Sequence, residues 1–200
     1  MKTKLLLMMI CLFAVSAVMA QETKKTETTT VPSSPTPSAV NIPAVQTASP
    51  ADVSSIDGIM KAVYDVISGD AGATRNWERF RSLFHKDARM MAVSKNAKTG
   101  VFGGSAFTPE DYVKRVEPFF AKEGFYESEL ARRTETYGHI THVFSTYQSK
   151  HKKDDAKPFA RGINSFQLMF DGTRYWVVTI YWEGETTDNP LPEKYLKTGN

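Results

Sequence analysis

Few side chains in this sequence combine the type and spacing that chemistry requires. His85 and Asp87 lie two apart at the end of a helical segment, where an imidazole and a carboxylate could form an acid–base dyad. The competing role for Asp87 is to bond nearby backbone amides and close the turn. Tyr137, at the end of a long extended stretch, is the third candidate for catalysis. His139 and His142 are three apart in an extended segment, so they point to opposite faces and are not a metal pair. Glu183 and Glu185 share a face at the end of the last strand. They could divide acid and base roles if a pocket raised one pKa, but strand-end carboxylates are more often solvated. The run Gly100-Val101-Phe102-Gly103-Gly104-Ser105 lacks the Lys-Ser/Thr pair of a phosphate loop, and no helix follows it directly. There is no Gly-x-Ser-x-Gly and no His-Glu-x-x-His. No motif fixes a reaction, and none implies a cofactor or a metal.

Binding candidates come from strand parity. Arg161 to Phe170 and Arg174 to Glu183 read as two strands joined by the Asp171-Gly172 turn. Alternation then puts Arg161, Ile163, Ser165, Gln167 and Met169 beside Trp176, Val178, Ile180 and Trp182. The other face carries Asn164, Phe166, Leu168 and Phe170 beside Tyr175, Val177, Thr179 and Tyr181. The first face mixes aromatic walls with a few polar groups, the composition of a ligand pocket, so Arg161, Ser165, Gln167 and Trp182 are the expected ligand-binding residues. Arg161 would hold an anionic group through two parallel hydrogen bonds. The second face is apolar, and its expected cover is a second subunit packed on Phe166, Leu168, Val177 and Tyr181.

The elements that must position these residues follow from periodicity. Ile56, Ile59, Met60, Val63, Val66 and Ile67 recur at helical spacing from about Ser54. Asn76 caps a shorter helix with Trp77, Phe80, Leu83 and Phe84 on one face. A short strand is expected over 89–93, then a glycine-rich loop over 94–107 near the pocket mouth. Thr108-Pro109-Glu110-Asp111 is a strong helix start, with Thr as cap, Pro at the first helical position and carboxylates in the first turn. Phe125 to Tyr137 and His139 to Gln148 complete the strands. Helices followed by a mostly antiparallel sheet predict an α+β domain in which a curved sheet closes into a cone.

Upstream the composition changes. Lys2 and Lys4 precede an apolar run from Leu5 to Val18, and Val18-Met19-Ala20 ends it with small residues at the −3 and −1 positions. This is the plan of a signal peptide, residues 1–20, cleaved after Ala20. The protein is then exported, periplasmic or secreted, with no stable membrane insertion after cleavage. Residues 21–53 are rich in Thr, Pro and Ser, have no aromatic side chain, and read as a disordered linker to a domain over 54–200. The one cysteine, Cys11, leaves with the leader, so the mature chain forms no disulfide. The formal net charge is +3, and cleavage also removes Lys2 and Lys4. A nearly neutral chain lacks the basic field of a nucleic-acid binder.

Three short patterns carry a family resemblance. They are Trp77-x-x-Phe80-x-x-Leu83-Phe84-x-x-Asp87-Ala88, then Gly138-His139-Ile140-Thr141-His142-Val143, then Asp171-Gly172-x-Arg174-x-Trp176-Val177-Val178. In this order and spacing, from about Ser54 to Glu185, the chain resembles the NTF2-like superfamily with its SnoaL-like and ketosteroid-isomerase-like domains. The ending Asn189 to Tyr195 is similar to exported bacterial members of unassigned function. The resemblance implies a cone of three helices on a strongly bent sheet, frequent dimers and a pocket at the wide end. It does not imply one activity.

The expectation is therefore a homodimer binding a small, partly apolar ligand, with an anionic group for Arg161. Two alternatives stay open: a cofactor-free isomerase, dehydratase or hydrolase using His85, Asp87 or Tyr137, and an interaction domain with a filled cone. A carboxylate or histidine within reach of the cone cavity would favour catalysis.

Overall fold

The structure, a computed structural model, describes residues 47–198. The expected leader and the linker up to residue 46 lie outside them. Ahead of the expected boundary at residue 54, a short helix α1 (Pro50–Val53) already packs on the domain. Ser49 and Asp52 cap it reciprocally, each side chain bonding the other's backbone N–H. Ala48 donates its N–H to Ser82 Oγ at 2.7 Å, Asp52 pairs with Arg79, and Val53 is buried. The last residues of the expected linker thus belong to the fold, because a cap and an ion pair offset the cost of ordering them.

The element order then runs α2 (Ile56–Ile67), α3 (Trp77–Leu83), β1 (Phe84–Lys95), β2 (Phe102–Gly103), α4 (Pro109–Phe120), β3 (Tyr126–Tyr137), β4 (Ile140–Lys150), β5 (Ala160–Phe170) and β6 (Tyr175–Gly184). A 3-10 turn follows at Glu193–Tyr195. Asn76 caps α3, and Thr108 with Asp111 forms the capping box of α4, with Pro109 at its start. Pro118 is tolerated because α4 ends two residues later. The first strand is longer than its sequence pattern and begins at Phe84, so His85 and Asp87 lie in a strand rather than at a helix end. The glycine-rich loop contains β2, which pairs with β1.

The six strands form one curved sheet in the order β2-β1-β6-β5-β4-β3. Only β1 and β6 run parallel. Gly138, at φ 55°, makes the two-residue turn between β3 and β4 that a side chain would strain. Buried faces of α2, α3 and α4 pack on one side of the sheet, against Val143, Phe166, Leu168, Val177 and Ile180. Arg75 fixes the α2–α3 connection by donating to the carbonyls of Ile67, Gly69, Asp70 and Ala73.

Two irregularities set which side chains share a face, and the first overturns the parity expected from sequence. Between Gln167↔Thr179 and Leu168↔Val177 the β5–β6 register shifts by one residue at Val178. Val177 and Ile180, three apart, consequently both face the helices, and Trp182 is opposite Asn164 rather than beside Ser165. A second shift, between Glu129 and Ala131, makes Arg132 rather than Arg133 continue the face of Glu127 and Glu129. The face expected to meet a second subunit is therefore wrong. Phe166, Leu168 and Val177 are in the core beneath the helices, and only Tyr181 is exposed.

Candidate functional site

Beneath α4 the cone encloses a cavity of about 140 Å³. Its walls are largely apolar: Val63 and Ile67 from α2, Phe80 from α3, and Phe166, Ile180 and Trp182 from the sheet. Four polar side chains reach it, namely Tyr112 from α4, Glu127 from β3, Tyr147 from β4 and Asn164 from β5. Among the described residues no Lys, Arg or His lines it. Tyr147 reaches the cavity across Gly162, where a Cβ would stand 2.7 Å from the phenol oxygen and 2.4 Å from the Glu183 carbonyl.

Glu127 is the chemical centre. Asn164 Nδ2 donates to its Oε1 at 3.2 Å, and Ser149 Oγ donates to its Oε2 at 3.0 Å. Burial pushes its pKa up to about 7, and these two neutral hydrogen bonds only partly oppose the shift. No cation assists. Glu127 keeps part of its surface accessible in the cavity it lines, while the surrounding protein removes most of the solvent that would stabilise its charge. Burial, with the nearby Glu127 charge as a lesser cause, raises Tyr147 to about 12 and Tyr112 further, so both phenols remain protonated donors. Asn164 spends both N–H groups on protein, one on Glu127 and one on Tyr64 Oη. Its Oδ1 and the hydroxyls of Tyr112 and Tyr147 have no hydrogen-bond partner among the described residues. These atoms, with Glu127, are free to meet a bound molecule.

The expected binding set divides. Trp182 lines the cavity, its indole edge-on to Phe107. Arg161, Ser165 and Gln167 do not, because the β5–β6 bulge assigns them to the opposite face. Arg161 makes two bonds to Glu185, at 2.8 and 3.0 Å. Ser165 bonds His142 and lines a separate outer groove with Tyr181, Glu183 and the C-terminal segment around Leu191 and Tyr195. Gln167 is exposed.

The expected catalytic candidates also lie away from the cone. His85 Nδ1 is 3.8 Å from Asp87 Oδ2, and the carboxylate is held instead by Lys86. Asp87 therefore neither closes a turn through backbone amides nor forms a tight dyad. Tyr137 is 85% exposed at a hairpin tip. Glu127, Tyr112, Tyr147 and Asn164 were not recognisable as a group from sequence. The available signal was the alternation Ser145-x-Tyr147-x-Ser149, small and aromatic polar residues on the face that meets Glu127.

No family model and no curated protein matches the sequence. Solved structures do. The protein assigned as the beta subunit of an aromatic-ring-hydroxylating dioxygenase from Novosphingobium aromaticivorans superposes with a TM-score of 0.51 at 13% identity, over 66% of this chain and 88% of that one. A protein of unknown function with a cystatin-like fold from Nostoc punctiforme gives 0.49 at 7% identity, over 66% and 90%. An NTF2-like protein of unknown function from Methylobacillus flagellatus gives 0.41 at 15% identity, over 66% and 95%. The fold is NTF2-like. At these identities the likeness extends to the fold alone, so what the NTF2-like cone of this chain does must come from its own cavity. Among the described residues no cluster of His, Cys, Asp and Glu could hold a metal, and no helix is long and apolar enough to cross a membrane.

Proposed function

We propose that this exported NTF2-like domain binds a small, neutral, partly apolar molecule in its cone, and that Glu127 exchanges a proton with it without a cofactor. The observation behind this reading is a carboxyl group with a pKa near neutrality on an apolar cavity that contains no cation. Such a group changes protonation state at small cost near neutral pH, as a general acid or base requires. Tyr112 and Tyr147 supply hydrogen-bond donors for an oxygen that gains negative charge as the proton leaves. The volume favours a ligand of about one ring, since a cavity of roughly 150 Å³ accommodates benzene. The anionic ligand suggested by Arg161 is not favoured, because burying its charge beside Glu127 with no cation would be costly.

The reading assigns the reaction class of proton abstraction next to a carbonyl. Single-ring ketones incubated with the protein in D2O should gain deuterium at the α-carbon, followed by NMR. Glu127→Gln should abolish the gain while Trp182 fluorescence still reports binding. Binding by the wild type with no exchange at any pH between about 6 and 8, the range around the carboxyl's pKa, would reduce the function to binding alone.

A further inference from the structure

A chain of hydrogen bonds links the cavity to the surface, and every direction in it is set from the far end. Arg132 holds Glu129 Oε2 through Nε at 2.8 Å and Nη2 at 2.6 Å, and reaches exposed Asp57 at 2.8 Å. Ion-paired Glu129 can only accept, so Ser145 Oγ donates its single proton to Glu129 Oε1 at 2.6 Å. Ser145 must then accept from Tyr64, whose hydroxyl lies 2.7 Å away. With its proton committed, Tyr64 must accept, and Asn164 Nδ2 donates to it at 3.2 Å. That same nitrogen carries the second N–H that reaches Glu127.

We infer that Glu129, through Ser145 and Tyr64, fixes the orientation of the Asn164 amide and thereby holds Glu127 ready to ionise. Glu129 and Tyr64 are positioning residues; neither touches the cavity. The inference deepens the proposed proton-exchange site and rests on Glu127 being its centre. The chain is not a proton wire, because an amide in the middle donates both ways and passes nothing on. It acts by polarity. If the chain ran in reverse, Tyr64 would donate to Asn164, the amide would turn, and Oδ1 would face Glu127. Two acceptors would then confront each other, and Glu127 would keep its proton.

The groups facing Glu127 from the packed elements are Tyr64 on α2, Tyr112 on α4, Tyr147 and Ser149 on β4, and Asn164 on β5. None is a cation; the nearby charge is that of Glu129 on the same strand, whose direct effect on Glu127 the test below separates from that of the amide.

Glu129→Gln supplies the test, since its amide can donate to Ser145 and reverse the chain. Simple electrostatics predicts that removing the Glu129 charge lowers the Glu127 pKa, because one negative neighbour is lost. Reversal of the chain predicts a rise of about one unit or more, the worth of a hydrogen bond to a charged group. The protonated-carboxyl infrared band of Glu127, identified by its disappearance in Glu127→Gln, is followed against pH in the full chain. A second arm uses Tyr64→Phe, which breaks the chain and retains the ring. Adding Glu129→Gln to that variant should no longer raise the pKa. A pKa that falls or stays level in Glu129→Gln, or a rise that persists without the Tyr64 hydroxyl, overturns the inference. A wild-type Glu127 that titrates in the ordinary carboxyl range would instead remove the proposed function itself.

Discussion

Glu127 on β3 and Asn164 on β5 meet over β4 on the inner face of the sheet, carboxylate Oε1 to amide Nδ2, 3.2 Å apart. The contact is neutral on one side. Burial raises the carboxyl's pKa to about 7 from 4.5, and this contact, which stabilises the ionised form less than an arginine would, only partly opposes it.

This raised pKa makes stability depend on pH in the direction opposite to most carboxylates. Between about 4.5 and 7 the folded state holds a proton on Glu127 that the unfolded state has released. Stability therefore falls as pH rises through that window and is level beyond it. The shift corresponds to roughly 3 kcal/mol as an upper bound. Glu127→Gln should raise the melting temperature more at pH 8 than at pH 5 (values chosen to bracket roughly that titration). Equal gains at both would show that burial does not raise the group.

Asp52 behaves in the usual sense. Its bonds to Arg79, at 2.6 and 3.0 Å, are the largest cause of a pKa lowered to about 2 from 3.8. Its contribution is present above pH 3.8 and lost as pH falls toward 2. Asp52→Asn should cost about 1–2 kcal/mol at neutral pH, for a partly buried pair that also caps a helix. Denaturant titration should show the difference shrinking in acid. A chain starting at residue 54 should be less stable than one starting at 47, since it loses the whole of α1.

Gly162 is required by the cavity wall. Gly162→Ala would drive a methyl group into the Glu183 carbonyl and the Tyr147 hydroxyl. A loss of about 1–3 kcal/mol is expected, as for other overpacked sites. Tyr147 should also be displaced, so weaker binding of a single-ring ligand should accompany the lower melting temperature. A variant with unchanged melting and binding would show that the strand moves aside freely.

Arg161→Met separates the two faces of the sheet. The Arg161–Glu185 pair is part-exposed and anchors the segment that leads to Leu191, whose N–H also bonds Glu185. Its loss should cost about 1 kcal/mol or less. Ligand binding in the cone, read by Trp182 fluorescence, should be unchanged. Binding that disappears with Arg161 would move the site to the outer face.

The amino-acid sequence by itself determined the types of α2 to α4 and of β1 and β3 to β6, the caps at Asn76 and Thr108, the turns at Gly138 and Gly172, and the α+β order. These depend on contacts within a few residues, where periodicity, capping chemistry and backbone freedom act directly. It also carried enough pattern, from Trp77 to Val178, to point to the NTF2-like fold. The candidate site was decided only by the tertiary structure. A single bulged residue, Val178, reverses which side chains of β6 share a face with those of β5. Alternation counted along the chain cannot detect such a slip, because the cost of the extra residue is repaid by packing Val177 and Ile180 together under the helices. For the same reason Arg161 read as an anchor and proved to be the partner of Glu185. Glu127, one of several glutamates alternating along a strand, carries no mark in the sequence that sets it apart. Its altered chemistry comes from Tyr64, Tyr112, Tyr147 and Asn164, brought from four other elements to exclude the water that would hold its charge.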